Sequence, residues 1–222
     1  MNLIKSMNYF NPFDVKERIH IIGCGSTGST IAELLARLGL TKITLYDFDT
    51  VETKNVANQM FTAADEGENK AVALKDIIVG INSAAVNDVL VQTDGYVEQP
   101  LSGYVFLCAD NIDTMRGIVL KNRFNRNIKI MFNTRTTLEE CQAFSVKWES
   151  DEIENFLRSM EFTHEEAVEA SPRTACGEIL GVAPSVREIC TATICNFINY
   201  QRKGTLKRLI VTNPFEFSIT AV

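Results

Sequence analysis

Glycines 23, 25 and 28, in the stretch IIGCGSTGST, constrain this chain more than any other feature. Apolar residues run straight into them, and behind them Ile31, Leu34, Leu35 and Leu38 recur at helical period until Gly39. Strand, tight glycine turn and helix in that order open a βαβ unit, in which parallel strands are joined by a crossover helix. Gly23 permits the turn out of the strand, Gly25 leaves room for phosphate oxygens to approach the backbone, and Gly28 lets helix and strand pack closely. The helix starting near Ser26 aims unpaired N–H groups at an anion seated there. Asp47, about 20 residues beyond the last glycine, is placed to accept hydrogen bonds from ribose hydroxyls. These features specify a nucleotide with a ribose and leave open whether it is a redox dinucleotide or ATP.

The rest of the chain continues the alternation. RIHIIG and KITLYDFD read as the first two strands, a helix covers Asn69 to Val79, and VNDVLVQ and YVFLCAD read as further strands. A helical stretch around Thr114 to Phe124 leads to the strand IKIMFN. After residue 133 the rhythm changes: CQAFSVKW reads as an antiparallel strand, and an acidic, weakly periodic segment follows as an exposed excursion with one or two short helices. Val186, Ile189, Cys190, Ile194, Phe197 and Ile198 then form a helical stripe, and LKRLIVTN closes as a late strand. The expected fold is α/β: a Rossmann-like, doubly wound, mostly parallel sheet with an antiparallel C-terminal extension and a helical crossover excursion. Residues 1–222 are expected to form a single domain, with 149–175 as an inserted acidic crossover.

Composition excludes several functions. A net charge of -6 with no Lys/Arg cluster argues against nucleic acid as a partner. The six cysteines lack regular spacing and read as free thiols in a reducing compartment. No apolar run reaches signal-peptide or membrane-span length, so a cytoplasmic protein with no membrane partner is expected. His20 reads as a satisfied core side chain, and His164 as a solvated residue of the acidic segment.

The polar residues that follow the second strand favour ATP. Asn55, Asn58, Gln59, Lys70 and Asp110 fall at strand ends and helix starts, which in a parallel sheet converge on the crevice at the carboxyl ends of the strands. Lys70, a point charge opening a helix, suits a triphosphate, and Asp110 suits the Mg2+ that travels with it.

Taken in order, these stretches resemble the ThiF/MoeB/HesA family, the adenylation domains related to ubiquitin-activating enzymes. The family pattern is a glycine loop, then DxDxVxxxNxxRQ, then a lysine after xGxxK, then (T/A)DN. This chain carries Gly23, Gly25 and Gly28, DFDTVETKNVANQ from Asp47 to Gln59, EGENK ending at Lys70, and ADN from Ala109 to Asn111. The closing CGEILGVAPSVREICTATICNFINYQRKG is also similar, so the resemblance spans about residues 18 to 204.

That resemblance implies ATP and Mg2+ as cofactors, Asp47 on the ribose, Lys70 on the phosphates, Asn55 and Gln59 at the sugar or phosphates, and Asp110 on the metal. Asp49 and Asn111 fall inside the matched motifs and join the nucleotide-binding set. The implied substrate is the C-terminal carboxylate of a small ubiquitin-like or ThiS-like carrier protein, and a homodimer is implied. Cys176 matches the position at which sulfur-transfer members carry an acceptor cysteine, and a CGE turn opening a helix would lower its thiol pKa.

The departures from the pattern are equally specific. Asn58 stands where NxxRQ has its arginine, Lys16 is the sole basic residue of MNYFNPFDVKE, and the paired CxxC motifs are missing, so no zinc is expected. Each missing arginine removes a few kcal/mol of transition-state stabilisation unless another replaces it, and Arg135 and Arg116 are candidates. Two alternatives stay open: a catalytically weak adenylation-fold subunit that binds a partner, and a NAD or FAD oxidoreductase supported by the glycine loop and Asp47.

Overall fold

The computed structural model describes residues 1–222 except Cys176 and Glu178. Eight strands form one sheet: β1 (Ile19–Ile22), β2 (Ile43–Tyr46), β3 (Leu90–Gln92), β4 (Gly103–Leu107), β5 (Ile128–Thr136), β6 (Cys141–Lys147), β7 (Leu209–Asn213) and β8 (Ser218–Ala221). Six α-helices connect them: α1 (Ser26–Arg37), α2 (Lys70–Ile81), α3 (Ile112–Asn122), α4 (Ser150–Arg158), α5 (His164–Ala170) and α6 (Ala183–Lys203). Spatial order is β3-β2-β1-β4-β5-β6-β7-β8. The first five strands are mutually parallel, and β5 to β8 pair antiparallel. The winding direction therefore reverses between β1 and β4, which opens the crevice where α/β sheets bind ligands.

Both sheet faces are covered, as the continuous apolar runs of the parallel strands require. One buried cluster gathers Ile31 and Leu35 of α1, Leu74 and Ile78 of α2, and Ile189 and Phe197 of α6. The other gathers Met115 and Val119 of α3 with Ile153 and Phe156 of α4. Strand alternation sends Phe106 and Phe132 to the α6 side, where their rings stack at 4.8 Å and Phe197 meets Phe132 edge-on at 5.9 Å. α6 ends at Gly204, whose φ of 68° gives the left-handed cap that stops a helix.

Three expectations needed adjustment. The run VNDVLVQ pairs only over β3, because Ala85 to Asp88 close a turn through hydrogen bonds to Asn82, Ser83 and Ala85. β5 runs three residues past IKIMFN because β6 supplies a partner for each of them. The acidic excursion is not merely exposed: Ile153, Phe156 and Met160 are buried, so α4 docks on the sheet through one apolar face.

His20 is a satisfied core side chain. Its Nε2 accepts from Ser102 N at 3.3 Å, so Nδ1 bears the proton that faces Tyr46 Oη at 2.8 Å. Burial, helped by the Arg18 charge, lowers its pKa to about 4. The native state therefore resists a proton that the unfolded chain accepts near pH 6.5, and stability falls as pH drops from that value toward 4. Between pH 7 and pH 5 the loss expected from this side chain is about 2 kcal/mol. Urea unfolding of the wild type and of His20→Leu at both pH values checks this; equal pH dependence in the two proteins would refute it.

His164 is not the solvated residue expected. The excursion folds back onto α3, so His164 N donates to Asp113 Oδ2 at 3.0 Å while its imidazole Nδ1 is buried with no hydrogen-bond partner.

Candidate functional site

The glycine loop is built from three different constraints. Gly23 has φ +91°, and a Cβ there would lie 2.7 Å from the backbone carbonyl of Cys108, so the β1 loop presses directly on the β4 loop. A Cβ at Gly28 would stand 1.9 Å from Gly23 O, which locks the first turn of α1 onto the strand end. Gly25 is different: a Cβ there would meet nothing within 4 Å. It is also the N-cap of α1 and offers no side-chain hydrogen bond to the helix. The first-turn N–H groups of α1 thus face open space beside a residue that leaves their approach unobstructed.

Asp47 follows β2 and is buried against this loop. Its Oδ2 accepts from Cys24 N at 2.6 Å and its Oδ1 from Asp49 N at 2.8 Å. Desolvation raises the Asp47 carboxyl pKa, opposed by those two N–H donors and by the Lys70 charge. Two of its lone-pair positions are occupied, and the remaining capacity suits ribose hydroxyls.

Lys70 is the first residue of α2. Asn69 caps that helix, accepting from Ala71 N at 3.0 Å and Val72 N at 3.3 Å, while its Nδ2 donates to the carbonyls of Asp47 and Asp49 at 3.0 and 3.1 Å. The lysine backbone is anchored too, through Lys70 N to Asp49 O at 2.9 Å. Its Nζ, at the end of a buried stem, meets Asp49 Oδ2 at 2.9 Å. Asp49, still half exposed, thus holds the ammonium at the β2 end, and among the described residues Lys70 makes no ion pair with Asp110.

The other residues singled out in the sequence divide by how much of their polarity is already engaged. Asn55 is buried, and its Oδ1 accepts from Glu52 N at 2.9 Å in a capping box around the short 3-10 helix Thr53–Ala57. Asn111 caps α3 by accepting from Thr114 N at 2.9 Å. Gln59 Oε1, in contrast, is buried and has no partner, and Asn58 ends the 3-10 helix beside Gly181. Asp110 is exposed beyond β4, next to the Cys108–Ala109 backbone on which Gly23 rests. Cys176 lies outside the described residues.

Arg116 and Arg135, the candidate replacement charges, are committed elsewhere. Arg116 donates to the carbonyls of Met160 and Phe162, and Arg135 to Ser159 O at 2.8 Å and to Asn133 Oδ1 at 2.9 Å. These are the carbonyls that α4 and the turn behind it leave unpaired, so both guanidinium groups cap that helix end. Arg135 also stacks over Phe144 at 4.4 Å, and burial lowers its pKa to about 10.

The buried cysteines are poor nucleophiles. Desolvation pushes the thiols of Cys24 and Cys190 well above their usual range, Cys108 up to about 12 and Cys141 up to about 11. A groove of about 580 Å³ runs along α6, β7 and β8, past Thr191, Cys195, Ile210 and Ile219. None of its lining residues belongs to the glycine loop or to the ends of β1, β2 and β4. Its walls are largely apolar, with Arg187 and Lys207 as the cations on its lining.

Two site features escaped the sequence reading. Asn69 carried a readable signal, an asparagine immediately before an apolar helical period. The Lys70–Asp49 pair joins residues 21 apart, across a turn that no periodicity specifies.

Known proteins resemble the chain at two levels. In sequence, it is 33% identical over 81 residues to ubiquitin-like modifier-activating enzyme 5 of Dictyostelium discoideum, covering 36% of this chain and 21% of the relative. The Drosophila persimilis protein of that name is 34% identical over 96 residues, covering 43% and 23%. The chain thus spans about a fifth of the length of these curated relatives. In structure, PaaA superposes with a TM-score of 0.69 at 16% identity, over 95% of this chain and 65% of PaaA. E. coli MccB with ATP gives 0.68 at 18% identity, over 95% and 64%. MccB has also been solved with AMPCPP and MccA together. These structural likenesses establish a shared fold. The sequence of the chain itself matches the ThiF family over residues 15–195, and the chain belongs to that family.

Proposed function

We propose that this protein uses ATP to adenylate the C-terminal carboxylate of a small ubiquitin-like or ThiS-like carrier protein. One observation carries the reading: the uncapped N-terminus of α1 opens onto free space at Gly25, at the same carboxyl end of the parallel strands as the Asp47 carboxylate and the Lys70 ammonium. Donors for phosphates, an acceptor for a ribose and a cation for a polyphosphate lie together there. The names of the curated relatives, and the presence of ATP and of MccA in MccB structures, support a nucleotide and a small polypeptide as the two substrates.

In this reading Asp47 orients the ribose, the α1 N–H groups and Lys70 hold the phosphates, and Gln59 offers its unpartnered Oε1 as an acceptor for a nucleotide hydroxyl. Asp49 keeps Lys70 extended toward the site. Among the described residues no trio of His, Cys, Asp or Glu could hold a metal. Magnesium would therefore arrive on the phosphates, with Asp110 as its protein carboxylate. The carrier carboxylate is ionised at neutral pH and attacks the α-phosphorus without a general base. One O–P bond forms and the bond to pyrophosphate breaks, giving an acyl adenylate and pyrophosphate. Protein catalysis then consists of holding two anions in line and neutralising the leaving group. Cys176, by its place in the sequence, is the proposed acceptor of the activated carboxylate.

Asn58 in place of an arginine, with Arg116 and Arg135 both engaged at α4, favours a second reading, a subunit with weak adenylation that mainly docks a partner. The oxidoreductase alternative retains only the glycine loop and Asp47. ATP/pyrophosphate exchange with carriers ending in Gly-Gly separates these readings. Magnesium-dependent exchange is expected with the wild type; its absence with every such carrier would leave the docking subunit. With Cys176→Ala, exchange is expected to persist while a thiol-sensitive conjugate disappears.

A further inference from the structure

We infer that Arg187 supplies the terminal phosphates of the nucleotide with the positive charge that Asn58 lacks; this rests on the adenylation reading above. Arg187 lies in the second turn of α6, partly exposed, with its guanidinium against Met60 Sδ and 3.4 Å from Thr30 Oγ1. Neither neighbour carries charge, and among the described residues no carboxylate pairs with it. A guanidinium has five N–H donors in a rigid fork suited to phosphate oxygens, and a thioether with one hydroxyl leaves most of that capacity unused.

Its surroundings point to the same ligand. Met60 directly follows Asn58 and Gln59, and Met60 N donates to Ser29 Oγ at 3.2 Å, which ties this strip to the first turns of α1. Thr30, the other neighbour of Arg187, donates to Ser26 O at 2.8 Å, one turn below the phosphate-facing end of α1. The approach to α6 touches the strip as well: a Cβ at Gly181 would lie 3.7 Å from Asn58 Nδ2. Arg187 and Asn58 therefore flank one strip, which Met60 N ties to α1. The charge missing at Asn58 in the sequence returns from a helix more than a hundred residues downstream.

Calorimetric titration of Mg-ATP and of AMP into the wild type, Arg187→Gln and Arg187→Lys tests this. AMP lacks the β- and γ-phosphates, so the two ligands separate charge contact from packing. Arg187→Gln is expected to weaken Mg-ATP binding at least tenfold while AMP affinity stays within about twofold, and Arg187→Lys is expected to recover part of the loss. Unchanged ATP affinity in Arg187→Gln, an equal loss of ATP and AMP, or a lysine variant no better than the glutamine one would each overturn the assignment. If Arg187→Gln does not fold, the ratio of ATP to AMP affinity in Arg187→Lys decides, and a wild-type ratio overturns it. Failure of the wild type to bind either nucleotide is a different result: it removes the adenylation reading itself.

Discussion

Gly25→Ala is expected to keep the fold and lose the nucleotide, whereas Gly28→Ala is expected to lose the fold. A Cβ at Gly25 would enter open space, so no neighbouring atom has to move to admit it. Alanine there adds one methyl at the surface of the loop, and the fold is expected to hold. The same methyl occupies the room through which phosphate oxygens reach the α1 N–H groups, so ATP affinity is expected to fall about a hundredfold or more. Gly28 allows no such methyl. Its Cβ would sit 1.9 Å from Gly23 O, a backbone atom pinned in turn against the β4 loop. Relief requires moving α1 off the sheet, and a cost above about 4 kcal/mol is a large share of a typical domain stability of about 5 to 15 kcal/mol. Thermal unfolding and ATP titration on both variants check the contrast. A Gly25→Ala protein that binds ATP like the wild type would remove the phosphates from this loop.

The second large effect is expected at Lys70. Truncation to alanine removes the cation nearest the proposed leaving group, and loss of one pre-positioned donor of this kind costs about 10² to 10³ in rate. Stability should change little, because the partner left behind, Asp49, is half exposed and regains water. The measurement is pyrophosphate exchange at saturating ATP and carrier, with a thermal melt as the fold control. Asp49→Asn is the informative companion: it keeps the lysine and is expected to lower exchange by less than tenfold, since only the positioning of Nζ is disturbed. Full exchange in Lys70→Ala would mean that the ammonium serves α2 and not the phosphates.

Much of the fold was legible because each parallel strand is a short apolar run bounded by polar residues, a pattern that burial on both faces imposes. Gly39 and the stripe from Ile31 to Leu38 likewise marked the course of α1 in advance. The last strand, β8, was not legible. All four of its residues are exposed and it pairs along one edge only, so no burial period is written into Ser218–Ala221. The docking of α4 was also missed, because Ile153 and Phe156 are outnumbered by surrounding carboxylates and only a face-by-face reading separates them.

At the site, placements that depend on local spacing were readable, and those that depend on distant partners were not. The position of Asp47 against the glycine loop follows from its spacing to the last glycine. The engagement of Arg116 and Arg135 at α4 requires knowing where residues 159 to 162 return, which no spacing encodes. Arg187 is the extreme case, since its neighbours Thr30 and Met60 are 157 and 127 residues away in the chain.

The contact of Gly23 with the carbonyl of Cys108 ties the height of the glycine loop to a neighbouring strand. Residue 108 behaves as a shim under that loop: its own Cβ lies 3.3 Å from where a Gly28 methyl would be. A bulkier side chain there would press on the loop and on the surrounding core together, so the height of the loop is set by a residue outside it.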